Sequence, residues 1–167
     1  MGEIIELAWE DPEKRLVRRA TLRDLDRIKL LEDATFRLDR LSRRSIKRAI
    51  QSPTQAVLTI TAHAGEIVGA AVLHYRQRSF QCRLYSIAVS AKQSRQGLGG
   101  RLLTACEVDA WQRLCTALKL EVRADNGAAI RFYRNNGYQP VGVKKGFYED
   151  GCNALVLDKK LIKTSAL

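Results

Sequence analysis

Residues 94–100 read Ser94-Arg95-Gln96-Gly97-Leu98-Gly99-Gly100, and the apolar spacing that follows is helical. Glycines at such a junction let the backbone turn sharply and approach a ligand closely. The first N–H groups of a helix have no partner inside it, and the helix dipole favours negative charge at that end. Together these features suit a pyrophosphate. The loop is not a Walker loop, since no Gly-Lys-Ser/Thr follows, and not Gly-x-Gly-x-x-Gly, since Leu102 stands at the third glycine position. A bare strand-to-helix turn would use the same glycines, so the loop alone leaves both readings open.

A second group of polar residues lies between Glu121 and Tyr138. Asn126 stands where a helix should begin, and its amide is suited to capping it. Asn126, Ala129 and Tyr133 are spaced i, i+3 and i+7, which puts them on one helical face. Gly137 falls at the C′ position, where positive φ is often required. Metal chemistry has no comparable pattern. Cys82, Cys106, Cys115 and Cys152 form no Cys-x-x-Cys pair, and His63 and His74 give no zinc spacing. Reduced thiols are expected, with no metal site and no cysteine nucleophile.

The elements that must position these groups follow from periodicity. Arg15–Ala20 reads as a short strand, and Thr21 with Asp24 approximates a capping box before a helix over 22–35. A second helix spans Ser42–Gln51 and stops before Pro53. Ala56–Ala62, Ile67–Tyr75 and Gln81–Val89 read as an antiparallel meander, its first turn at Gly65. A helix over Arg101–Leu114 then follows, with a strand at Lys119–Val122, a helix at Asn126–Asn136 and strands at Val141–Lys144 and Ala154–Asp158. The expected class is α/β: one domain over 15–161, built on a mixed sheet with helices on both faces. Residues 1–14 and 162–167 are expected as tails.

Composition narrows the partners. A chain of 167 residues with 46% hydrophobic and 28% charged residues reads as a soluble globular domain. No apolar run reaches the roughly 20 residues of a membrane helix, and no secretory signal is seen, so a cytoplasmic protein without membrane contact is expected. Net charge is +11, and residues 13–50 contribute 13 Lys+Arg against 6 Asp+Glu, or +7. Such a balance attracts acidic partners, or serves only as a solvated face. Interleaved acids and the lack of an aromatic stacking pattern make nucleic acid an unlikely substrate.

Tyr85-Ser-Ile-Ala-Val89 followed by Gln96-Gly-Leu-Gly-Gly100-Arg-Leu-Leu103 resembles motif A of the GNAT acetyltransferases. The family pattern Gln/Arg-x-x-Gly-x-Gly/Ala falls on Ser94–Gly99, with Ser94 departing at its first position. Asn126, Ala129, Tyr133, Gly137 and Tyr138 resemble the family's motif B, Asn-x-x-Ala-x-x-x-Tyr-x-x-x-Gly-Phe/Tyr. The resemblance covers roughly residues 15–160. It implies a mostly antiparallel sheet, splayed where acetyl-CoA binds. It also implies that Arg95, Gln96, Gly97, Leu98, Gly99, Gly100 and Arg101 cradle the phosphates. Ile87, Ala88 and Val89 would line the pantetheine arm, with a backbone N–H, that of Val89, polarising the thioester carbonyl. Asn126 and Ala129 would join that arm.

In this family resemblance Tyr133 protonates the departing thiolate, where by itself it would read as a packed aromatic. Leu120-Glu-Val-Arg123, twelve residues ahead of Tyr133, resembles the ribosomal-protein alanine (RimI-type) branch. There the equivalent of Glu121 serves as general base through water; the alternative is a Glu that neutralises Arg123 or another nearby cation. Lys145-Gly-Phe-Tyr-Glu-Asp150 resembles the branch's closing hairpin, which would bring Tyr148 and Asp150 or Glu149 to the acceptor. Phe36 and Tyr85 complete the implied acceptor site. The Pro-Trp typical of the ribosomal enzymes is absent from Arg37–Arg44. The expected activity is acetyl transfer from acetyl-CoA to a primary amine, a peptide or protein N-terminus first, a small amine or lysine next, by a monomer or homodimer. A CoA-binding or nucleic-acid-binding module is the alternative of another class.

Overall fold

The computed structural model describes residues 15–162; the tail expected at 1–14, and all but Ile162 of that at 162–167, lie outside them. Seven strands form one mixed sheet in the order β1-β2-β3-β4-β5-β7-β6. They are β1 (Leu16–Arg19), β2 (Gln55–Thr61), β3 (Ile67–Tyr75), β4 (Gln81–Val89), β5 (Ala117–Arg123), β6 (Gln139–Lys144) and β7 (Ala154–Lys160). The helices are α1 (Leu25–Thr35), α2 (Arg43–Gln51), α3 (Leu98–Gln112) and α4 (Gly127–Asn135). Contacts divide the chain into two compact units, 15–74 with 85–106 and 75–84 with 107–162.

In the first unit β1 pairs antiparallel with β2, and β2 with β3. Leu25, Ile28 and Leu31 of α1 and Ile46 and Ala49 of α2 pack with Val57, Ala70, Val72 and Ala88 in one apolar cluster. The helix expected over 22–35 is interrupted, because Leu22–Asp24 form a 3-10 turn before α1. Asp24 accepts the Thr21 N–H at 2.8 Å and holds Arg18 at 2.7 Å, so its carboxylate fixes the entry to the helix. Ser42 caps α2 by accepting the Ser45 N–H at 3.0 Å.

In the second unit, β4 runs parallel to β5, and β7 runs antiparallel to both β5 and β6. Leu118, Leu120 and Val122 turn inward, and period-two alternation sends Lys119, Glu121 and Arg123 to the other face. The α4 helix ends as expected. Gly137 has φ +90, its N–H bonds the Arg134 carbonyl at 3.0 Å, and the Tyr138 N–H bonds the Tyr133 carbonyl at 3.1 Å. These two bonds make a Schellman closure. Tyr138 is fully buried and donates to Glu107, which also holds Lys159.

The helix expected to begin at Arg101 starts at Leu98. Arg101 N–H bonds the Gly97 carbonyl at 3.1 Å, so Gly99 and Gly100 lie inside its first turn. Leu98 is buried and anchors that turn, which offsets the low helix propensity of the two glycines.

Candidate active site

In the first unit the glycine loop precedes α3 with two consecutive demands on the backbone. Arg95 has φ 63 and Gly97 has φ 73, both in the left-handed region. A Cβ on Gly97 would meet nothing within 4 Å, so the glycine answers to φ and leaves open space above the loop. The N–H groups of Leu98, Gly99 and Gly100 precede the first intrahelical bond, which Arg101 makes. Arg95 and Gln96 are exposed beside them, and Gln96 accepts from Arg15. Open space, first-turn N–H groups and neighbouring cations fit a phosphate-bearing ligand.

β4 alternates beyond the loop's reach. Ala88 turns into the first unit's core, while Tyr85, Ile87 and Val89 share the opposite face by strand period. Tyr85 is exposed and stacks on His74 with centroids 4.6 Å apart and planes 7° off parallel. The pair lines a cavity of about 170 Å³ with Leu41, Ser45, Arg48 and Val72. Phe36 does not join that wall. It packs against the apolar cluster, because α1 ends there and its N–H closes on the Glu32 carbonyl at 3.0 Å.

The residue that periodicity missed in this unit is Glu32. It is 4% exposed on α1 and accepts the Leu41 N–H at 2.9 Å and the Ser86 hydroxyl at 3.3 Å. Burial raises its pKa, with the two hydrogen bonds opposing. Glu32 thus ties the loop after α1 to β4 beside Tyr85. One acid among the three of an amphipathic helix gives no sequence signal of such a tie.

In the second unit the β4–β5 ladder ends at Leu84↔Leu120, and Glu121 is the next residue of β5. Its side chain is 6% exposed. Oε2 accepts from Arg83 Nε at 2.7 Å, and Oε1 accepts from Lys144 Nζ at 2.6 Å. Burial raises its pKa, but the bonds and charges of Lys144 and Arg83 outweigh it, so the carboxyl titrates below the usual glutamate range. Of the cations that the alternative reading offered, Arg123 or another one nearby, the two on the carboxylate are Arg83 and Lys144, not Arg123. That guanidinium instead grips Asp125 at 3.2 Å and Asp150 at 2.5 Å and lies 4.8 Å over the Tyr148 ring.

Sheet register explains the Lys144 contact. Arg123 pairs with Ala154 on β7, and Ala154 pairs with Lys144 on β6. The irregularity between Pro140 and Gly142 sets that register. The long Lys144 side chain then reaches across β7 to Glu121. Asp150, expected to attract an acceptor ammonium, accepts from Arg123 and from the Cys152 N–H at 3.1 Å.

Asn126 caps α4, its Oδ1 accepting the Ala129 N–H at 3.0 Å. That acceptor is already used, which leaves the amide's NH₂ for any ligand. Tyr133 is 8% exposed and packs edge-on against Tyr138 at 5.8 Å and Phe132 at 5.1 Å. Among the described residues no cluster of His, Cys, Asp and Glu could hold a metal ion, and all four cysteines are free thiols. No helix among them is long and apolar enough to cross a membrane.

Comparison with known proteins places these features in context. Residues 6–138 match the model of the acetyltransferase (GNAT) family. The chain is 37% identical over 68 residues to the [ribosomal protein bS18]-alanine N-acetyltransferase of Escherichia coli K12, covering 41% of this chain and 46% of that one. It is 35% identical over 86 residues to the N-alpha-acetyltransferase RimI of Mycobacterium tuberculosis, covering 50% and 52%. The chain therefore spans about half the length of these curated relatives. The crystal structure of the ribosomal-protein-S18-alanine N-acetyltransferase from Escherichia coli superposes with TM-score 0.78 at 24% identity, over 92% of this chain and 98% of that one.

Proposed function

The chain belongs to the GNAT acetyltransferase family, and from that premise we propose that it moves an acetyl group from acetyl-CoA to the α-amine of a peptide or protein N-terminus. The observation that carries this reading is Glu121: a buried carboxylate, kept ionised by two cations, that already binds one primary ammonium. The names of the relatives support an α-amine as acceptor.

Acetyl-CoA supplies the electrophilic thioester. The loop Arg95–Arg101 would receive its phosphates on the first-turn N–H groups of α3, with Arg95, Gln96 and Arg101 beside them. Ile87, Ala88 and Val89 would offer backbone groups to the pantetheine arm, joined by Asn126 and Ala129. The Val89 N–H would stabilise charge on the thioester oxygen.

The acceptor ammonium takes the place of Lys144 on Glu121 Oε1. Lys144 reaches in from β6, whose residues are all exposed, so its withdrawal disturbs no core packing. Glu121 is a weak base, and a weak base suffices. The bound ammonium first releases one proton through water, which frees the nitrogen lone pair for attack; once nitrogen has bonded to carbon it becomes far more acidic than an alkylammonium, and the carboxylate can take its second proton directly or through water. Tyr133 returns a proton to sulfur. Positioning supplies much of the remaining rate. The cavity beside Tyr85 and His74 carries Arg48 and no carboxylate, which disfavours a polycationic acceptor there.

The test is a panel of peptides with free and blocked N-termini, lysine peptides and small amines, each incubated with acetyl-CoA. Fragmentation mass spectrometry then locates the new acetyl group. Acetyl on the α-nitrogen of free-N-terminal peptides is expected. Acetyl confined to lysine or to small amines overturns the α-amine assignment.

A further inference from the structure

Lys144 is a primary amine seated on the carboxylate to which the preceding section assigns the acceptor's proton. Its Nζ lies 2.6 Å from Glu121 Oε1, and its side chain is half exposed. Glu121 holds a second cation, Arg83, on its other oxygen, and a guanidinium is never deprotonated at working pH. Of the two cations, only Lys144 can become a nucleophile. Its neighbour Lys145 is exposed as well, but makes no hydrogen bond or ion pair among the described residues. The two lysines share sequence context and differ in their contact with Glu121.

We propose that Lys144 is a self-acetylation site, modified by the same centre. The inference rests on the role given to Glu121 above. Lys144 Nζ gives a proton to Glu121 and attacks the thioester carbonyl of acetyl-CoA. The N–C bond forms and the C–S bond breaks. The sulfur leaves as thiolate and is protonated, so Lys144 ammonium and acetyl-CoA become acetyl-Lys144, CoA thiol and one proton. The product amide is neutral and no longer pairs with Glu121 as an ion. The modification therefore clears Oε1 for an external amine and removes one of the two charges that depress Glu121.

The experiment incubates the purified protein with isotope-labelled acetyl-CoA and no acceptor, and follows label at each lysine by peptide mapping. Labelling of Lys144 is expected to outpace that of Lys145 by about a hundredfold, the low end of what a positioned base contributes. The rate per molecule should not change with protein concentration, and Glu121→Gln should reduce it to the Lys145 rate. Equal labelling of the two lysines, or a Lys144 rate unmoved by Glu121→Gln, overturns the inference. The same preparation is run on the peptide panel in parallel. Peptide turnover without preferential Lys144 label sinks the self-acetylation alone; absence of both sinks the assignment of Glu121 with it.

Discussion

Lys144 Nζ and Glu121 Oε1 stand 2.6 Å apart, and the carboxylate they share with Arg83 is almost fully buried. An ion pair between a half-exposed lysine and a buried carboxylate has a definite consequence for any ammonium that must bind the same oxygen: the two compete.

Lys144→Ala removes the competitor. The pair is partly exposed, so its worth lies at about 0.2–1 kcal/mol, which corresponds to a fall of up to about fivefold in acceptor KM. Steady-state kinetics with a free-N-terminal peptide measure it. An unchanged KM would show that Lys144 and the acceptor do not meet on Glu121.

Gly97→Ala tests the phosphate loop. The site has φ 73 and open space for a Cβ, so the cost is conformational rather than steric. Holding alanine in the left-handed region costs about 1–2 kcal/mol. The loss is expected in urea unfolding, in acetyl-CoA affinity by calorimetry, or divided between them. A variant equal to the parent in both would remove the reason for glycine here.

Glu32→Gln tests the buried tie in the first unit. Burial raises the folded pKa of Glu32, so the folded state holds its proton more tightly than the unfolded chain does. Stability from this group is present at low pH and is lost as pH rises through the folded pKa. The neutral amide escapes that loss and can still accept the Leu41 N–H. Thermal melts should therefore coincide below the ordinary glutamate range, favour the variant as pH rises through the raised folded pKa of Glu32, and hold that difference above it. A variant less stable at every pH would mean that the charged hydrogen bonds outweigh burial.

Much of this was legible in the chain. β3 at Ile67–Tyr75 and β4 at Gln81–Val89 have the bounds read from the sequence, and Gly137 takes the positive φ that its place after α4 required. Asn126 caps as its position implied. What stayed hidden were contacts between segments distant in sequence. For Glu121 the chain offers Arg123, two residues away on the same strand, or another nearby cation, and only the fold names those cations, Arg83 on β4 and Lys144 on β6. Local spacing reports which face a residue occupies, but not which other strand supplies its partner. The start of α3 was missed for another reason: glycines read as loop, and only the burial of Leu98 reveals that they belong to the first turn.

The most direct measurement is CoA-thiol release on a free-N-terminal peptide by the parent, Glu121→Gln and Tyr133→Phe, with acetyl-CoA affinity determined on all three. Turnover by the parent is expected, with a loss of about a hundredfold or more in kcat for each variant and affinity within a few-fold of the parent. Both variants turning over at the parent rate, with the same affinity, would contradict it.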